Sequence, residues 1–248
     1  MKSTEVDQSH VKIAIVAALE REVWPLVRRW RVSEKECGGR NFRFFERENV
    51  VLVCGGMGAV AARRAAEAVI AFYAPQMICS VGFAGALEAS LRVGDVIRPK
   101  RVINANDGSS VTVERGKGVL VSFAAIAGPE QKARLRESYG AQAVDMEAAA
   151  VAQAADARGI RFEAIKAISD EIDFVFPSME RFVNANGSFS EWKFAGFAAV
   201  RPWLWPRVVQ LMRNSGRASR VLCEWLGRID ESGAGHNEGS GVETGKRA

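Results

Sequence analysis

Short, nearly unbroken apolar runs alternate with helix-length amphipathic stretches, and few architectures accept that pattern. VKIAIVA (11–17), VVLVC (50–54), MICSV (77–81) and VLVSF (119–123) are strand-sized and apolar on both faces. A strand with one wet face alternates polar and apolar residues, whereas one covered on both faces does not. The stretches between them carry helical periodicity. Residues 19–30 place Leu19, Val23, Leu26, Val27 and Trp30 on one face, with Pro25 as an interruption or second start. Alanine-rich helices are expected over 58–73 and 146–158, and Gly128–Pro129 opens another over 129–139. Residues 42–47 and 50–54 read as paired strands joined tightly at Glu48 and Asn49, and 104–118 as a loop or hairpin. The expected fold class is α/β, with a mixed twisted sheet flanked by helices. Ligands of such sheets bind outside the carboxyl ends of the strands.

Composition narrows the chemistry. Of 248 residues, 48% are hydrophobic, so a sizeable core is expected and disorder is excluded for most of the chain. No run is long and apolar enough for a spanning helix, and no signal peptide is convincing, which makes the cytoplasm the expected location. The two histidines, His10 and His236, lie near the termini. A histidine triad or multi-histidine metal site is therefore not expected, and acid–base work falls to carboxylates. The cysteines at 37, 54, 79 and 223 form no CxxC pair and read as free thiols. Neither a metal nor an organic cofactor is expected. The net charge of +5 is concentrated in arginines 201, 207, 213, 217, 220 and 228, not spread over a face that would bind nucleic acid.

Five patches at or near strand ends carry candidate chemistry. Glu20 follows the first strand at the mouth of a helix, where an acid also suits the helix dipole. CGGMGAVAARR (54–64) runs from strand through glycines 56 and 58 into a helix, so its amides could face an anion or a ribose. SVGFAGAL (80–87) repeats that arrangement around Gly82, with Phe83 as a stacking or sealing aromatic. VDMEAAAVA (144–152) and AISDE (167–171) place Asp145, Met146, Glu147, Ser169 and Asp170 at a helix entrance and a strand end. EIDFVFPSM, which follows, is long and aromatic enough to form a lid.

These patches, in this order, resemble the nucleoside phosphorylase/nucleosidase superfamily, most closely its methylthioadenosine/S-adenosylhomocysteine nucleosidases and the hopanoid-associated phosphorylases. The resemblance rests on AIVAALEREV (14–23), CGGMGAVAA (54–62), SVGFAGALEASLRVGDVI (80–97), AVDMEAAAVAQAADARGI (143–160) and AIKAISDEID (164–173). It implies a three-layer nucleoside phosphorylase-like fold and cleavage of the N-glycosidic bond of a 5′-modified purine nucleoside, releasing adenine. It also implies roles. Glu20 orients the attacking nucleophile, Glu147 binds the ribose hydroxyls, Met146 packs under the sugar, and Asp170, supported by Ser169, donates a proton toward purine N7. Gly56 and Gly58 lie near the ribose or the phosphate. Gly82 and Phe83 are candidate binding residues from their loop alone, Phe83 standing where the family usually has a small polar residue.

The nucleophile is open between water and inorganic phosphate, the latter a candidate co-substrate. A loose likeness of the C-terminal segment to the hopanoid-associated phosphorylases favours phosphate and an adenosyl-hopane substrate. A methylthioadenosine/S-adenosylhomocysteine nucleosidase and a non-catalytic nucleoside-binding protein are the alternatives. The expected organisation is a loose N-terminus (1–10), a catalytic domain (11–190), a basic aromatic helical segment (191–230) and a disordered tail (231–248). A homo-oligomer is implied by the resemblance. The tryptophans and arginines of the C-terminal segment suggest either packing on the body or peripheral contact with the inner membrane face.

Overall fold

The structure is a computed structural model that describes residues 11–176, 182, 197 and 201–232. The expectations for residues 1–10 and 233–248, for the lid beyond Phe176 and for Trp192 and Phe194 lie outside the described residues.

The chain opens with β1 (Ile13–Ala17) and α1 (Glu20–Val27). β2 (Arg31–Cys37), β3 (Arg40–Arg47) and β4 (Val50–Cys54) then form an antiparallel ribbon. The charged run RVSEKEC looks unlike a strand because it lies at the sheet edge, where most of its residues meet water. Its turn uses Gly38 and Gly39, both at positive φ, as a tight hairpin requires. Glu48 takes the left-handed conformation at the next turn (φ 50°), where the sequence placed a tight connection.

After α2 (Ala59–Tyr73) comes β5 (Met77–Ala86), the axis of the sheet. β1 and β4 run parallel beside it. β6 (Val96–Ile97), β7 (Arg101–Asn104), β8 (Ser110–Thr112) and β9 (Val119–Ser122) follow. α3 (Pro129–Tyr139), β10 (Ala143–Asp145), α4 (Ala148–Asp156), β11 (Arg161–Asp170) and a long helix α5 (Trp205–Ser232) complete the described elements.

The sheet order is β2-β3-β4-β1-β5-β10-β9-β7-β8, with β11 pairing β5 and β6 off that path. β5 can serve three neighbours because it is ten residues long. Its first half pairs β1, its end pairs β10 antiparallel, and β11 runs parallel along nearly all of it. The sheet therefore splits at residues 84–86, and the ends of β5, β10 and β11 meet around one space. This is the expected mixed α/β sheet with helices on both faces.

α2 and α4 cover one face through alanines, Ala62, Ala65, Ala66, Ala148, Ala152 and Ala155 among them, all buried with Val51, Val53 and Ile78. Alanine lets helix and sheet approach closely, and Gly55 shows how closely: a Cβ there would stand 2.8 Å from Ala65 Cβ. α1 and α5 cover the other face, where Val23, Val27, Ala218, Leu222 and Leu226 close over Ile15, Leu52 and Ile165. α5 thus packs on the body, but through its second half. Met212, in its first half, is 69% exposed. Among the described residues, no helix is long and apolar enough to cross a membrane.

Candidate active site

A cavity of about 960 Å³ lies at the carboxyl ends of β1, β5, β10 and β11. Its walls are mostly apolar: Trp24 and Pro25 of α1, Met57, Phe83, Ile126, Met146, Phe176, and Val208, Leu211 and Met212 of α5. Its polar groups are few and converge: Glu22, Asp145, Glu147, Ser169, Asp170 and Lys132, with Arg21, Ser215, Ser219 and Arg220 toward the helices. An apolar cleft with a few fixed polar groups is the usual form of a small-molecule site.

Glu147 follows the last residue of β10 by two positions and stands at the entrance of α4. One of its oxygens accepts the Gly58 amide at 2.7 Å and the other the Met146 amide at 3.2 Å. The glycine loop of residues 55–58 therefore serves the site through an acid: Gly58, at φ 90°, turns its N–H onto Glu147. Asp145 lies beneath, buried, accepting from Ser122 Oγ (2.5 Å), the Ala148 amide (2.9 Å) and Lys166 Nζ (2.9 Å). Lys166, 1% exposed, also donates to Ser80 Oγ at 3.1 Å. Burial pulls the Lys166 ammonium down, but Asp145 and Glu147 outweigh it and hold it above the ordinary lysine range. It is thus a fixed positive charge under a cluster of acids. Burial and the charge of Asp145 push Glu147 up to about 7.

Glu22 projects from α1 over this cluster. It is 5% exposed, and its Oε2 has no hydrogen-bond partner among the described residues. Burial, then the charge of Glu147, pushes it up to about 8 despite Lys166. Gly82 makes the space: a Cβ there would stand 2.8 Å from Glu22 Oε2. Asp170, at the end of β11, is also buried. Its Oδ1 accepts from Ser169 Oγ at 2.7 Å and its Oδ2 from Lys132 Nζ at 2.5 Å.

Of the residues singled out from sequence, Glu147, Asp170, Met146, Ser169 and Phe83 line the cavity together. Gly58 holds Glu147, and Gly82 lies under Glu22. Gly56, at φ 102°, donates its amide to Ala18 O at 2.9 Å and supports the loop. Glu20 is not brought to the cavity. It points outward to Arg43, with Oε1 2.8 Å from Nη1, and its side chain is 36% exposed. Two residues along a helix are about 200° apart, so Glu20 and Glu22 cannot share a face. In α1 it is Glu22 that is buried, together with Val23 and Val27. Helix phase alone would not have chosen it: at about 100° per residue Glu20 lies roughly 60° from Val23 and 20° from Val27, and Glu22 roughly 100° and 140° from them. Lys132 and Lys166 were also missed. One sits in a polar helix and the other in a strand, and only the fold brings each to a carboxylate.

This arrangement brings four carboxyl groups, Glu22, Asp145, Glu147 and Asp170, to one apolar cleft of an α/β fold. Among the described residues, no group of three or more His, Cys, Asp or Glu side chains is arranged to hold a metal ion. The family model of the phosphorylase superfamily matches residues 12–127 and 111–191, and the chain belongs to that superfamily of nucleoside phosphorylases and nucleosidases. Among curated relatives, the 5′-methylthioadenosine/S-adenosylhomocysteine nucleosidase of Staphylococcus aureus is 27% identical over 197 residues, covering 64% of this chain and 86% of the relative. Among solved structures, the corresponding nucleosidase of Colwellia psychrerythraea, in complex with adenine, superposes with a TM-score of 0.59 at 24% identity, covering 66% of this chain and 84% of that one. Futalosine hydrolase of Helicobacter pylori gives 0.68 at 17% identity, covering 91% and 100%. Both structural likenesses concern the fold.

Proposed function

We propose that the cavity hydrolyses the N-glycosidic bond of an adenosine carrying an apolar 5′ substituent, with methylthioadenosine and S-adenosylhomocysteine as first candidates, and releases adenine. The curated relatives named above favour that substrate class over adenosyl-hopane. The observation that carries the proposal is Glu22: a buried carboxyl with an oxygen that has no partner among the described residues, lining the space it shares with Glu147 and Asp170.

Breaking the C1′–N9 bond places positive charge on the sugar and negative charge on the base. Asp170 stands at the base end and supplies the proton that lets the purine leave. Glu147, held by two backbone amides, accepts hydrogen bonds from the ribose hydroxyls, and its charge favours the cationic sugar. Glu22 takes the proton of the attacking water. Each such preorganised contact is typically worth ~3 kcal/mol of barrier. Water suits the site better than phosphate. An incoming dianion would face Glu22 and Glu147, and Lys166, the cation below them, is already held by Asp145 and Ser80. The apolar wall of Phe176, Val208 and Leu211 suits an apolar 5′ group.

Adenine release from methylthioadenosine, S-adenosylhomocysteine and a series of 5′-alkyl adenosines, each with and without phosphate, tests the proposal. Release without phosphate is expected. A strict phosphate requirement overturns hydrolysis, and no release from any substrate overturns the enzyme reading in favour of nucleoside binding.

The reading extends to partners and location. We propose a cytoplasmic homo-oligomer that also touches anionic membrane surfaces. Exposed Trp203 (70%), just before α5, and Trp205 (53%) and Met212 (69%) in its first half share one stretch of chain with exposed Arg207 and Arg213, and Met212 also lines the cavity.

A further inference from the structure

α3 is a polar helix, PEQKARLRESY, that buries two side chains: Leu135, as expected of an amphipathic helix, and Lys132. A lysine with no exposed surface is expensive to fold, and packing alone would favour an apolar residue. Its Nζ donates to Asp170 Oδ2 at 2.5 Å and to the Glu171 carbonyl at 2.6 Å. Ser169 Oγ donates to the other oxygen of Asp170 at 2.7 Å. Both carboxyl oxygens thus face donors, which fixes the plane of the group and the backbone immediately after it. The surroundings are shaped for this pair. A Cβ on Gly85 would stand 2.7 Å from Asp170 Oδ2 and 3.2 Å from Lys132 Cε. Asp170 and Lys132 both line the cavity, but Lys132 has no exposed surface of its own and bears on the site through Asp170.

We propose that Lys132 is the positioning residue of the leaving-group acid: it holds Asp170 Oδ2 in the attitude needed to protonate the departing purine, and the proton in transit is shared between Nζ and Oδ2. The inference rests on the proposed glycosidic cleavage. In that step the C1′–N9 electron pair stays with the base, the base gains a proton at a ring nitrogen from Asp170, and water adds to C1′ while losing a proton to Glu22. Solvent then reprotonates the Lys132–Asp170 pair as Glu22 releases its proton, so atoms and charge balance over the cycle. Lys132 touches neither the sugar nor the base; it acts through Asp170.

Acid assistance matters only for a leaving group that needs a proton. The test compares adenine release from methylthioadenosine with p-nitrophenolate release from the matching 5′-methylthio p-nitrophenyl riboside, whose leaving group departs as a stable anion. In Lys132→Met, kcat for adenine release is expected to fall by roughly 10²-fold, the lower range of general-acid assistance, with KM little changed. The ratio of the purine rate to the nitrophenyl rate is expected to fall at least ~10-fold, by the same reasoning. Lys132→Arg, which keeps the charge and the donors, should restore part of that ratio. A parallel loss of both activities, or no loss of either, overturns the proposal.

If Lys132→Met does not fold, or the wild type does not accept the nitrophenyl substrate, the double variant Lys132→Met/Asp170→Asn set against Asp170→Asn carries the test. A residue acting through Asp170 costs nothing further once Asp170 is gone, so equal adenine-release rates are expected. An additional loss of ~10-fold or more in the double variant, well outside additive error, overturns the assignment. Wild-type protein that releases no adenine at all would instead remove the functional reading on which the inference stands.

Discussion

Replacing Glu22 with Gln separates the chemistry of this site from its stability, because the group does opposite things to each. Glu22 is held up to about 8 from an ordinary 4.5, first by burial and then by the charge of Glu147. Above pH 4.5 the unfolded chain therefore releases a proton that the folded chain keeps, and folding stability falls as pH rises from about 4.5 to about 8. That interval, at ~1.4 kcal/mol per pH unit, amounts to on the order of 5 kcal/mol. It is an upper bound, since water admitted to the cavity screens the charge. Glutamine keeps the shape and removes the titration, so Glu22→Gln should be the more stable protein at alkaline pH. For a chain of this length the gain corresponds to a Tm difference of up to ~10 °C.

The assay is thermal unfolding of wild type and variant from pH 5 to 9. Their Tm values should diverge with pH, the variant leading on the alkaline side. Activity should move the other way. The variant cannot accept a proton from water, so adenine release should drop ~10²- to 10⁴-fold. In the wild type, kcat/KM should rise with pH toward a limb near 8 that the variant lacks. Tm curves that stay parallel would refute the claim that Glu22 is buried and proton-bearing. A variant with wild-type turnover would remove it from the mechanism.

Further outcomes follow from the same geometry. Asp170→Asn should lose most turnover, ~10²-fold or more, while nucleoside affinity measured by calorimetry changes little, and a rate within twofold of wild type would exclude it. Glu147→Gln should weaken both binding and rate, since the ribose contact is present before and during bond cleavage; unchanged affinity would count against that role. Lys166→Met should cost ~3–5 kcal/mol of stability in denaturant titrations, because it strands Asp145 as a buried charge without its partner. Trp203→Ser/Trp205→Ser should reduce sedimentation with anionic liposomes at low salt; wild-type protein that stays in the supernatant refutes membrane contact and leaves these residues to a subunit interface, which light scattering would reveal.

How much of this was legible before the fold depends on the range of each interaction. The strands β1, β4, β5 and β9 announced themselves because burial on both faces is written in consecutive residues. The turn at Glu48 and the helix opening at Pro129 were equally local. The edge strand β2 was not, since its charged residues look like a loop until β3 lies beside it. The acids at 147 and 170 stood out because each closes an apolar run next to small residues, a signal confined to its own segment.

The choice between Glu20 and Glu22 was not local: at about 100° per residue Glu20, not Glu22, shares the stripe of Val23 and Val27, and only the packing of α1 on the body turns Glu22 into the cavity. The lysines were beyond sequence. Lys132 reaches Asp170 across 38 residues, and Lys166 reaches Asp145 across 21, by virtue of a sheet that splits where β5 passes from β1 to β10. The sequence by itself determined the layers, the strand ends and most of the candidate carboxylates, because these depend on neighbours in the chain. Only the tertiary structure decided which carboxylates face one another and which cations steady them, because Coulomb energy and desolvation depend on distances through space and not on separation along the chain.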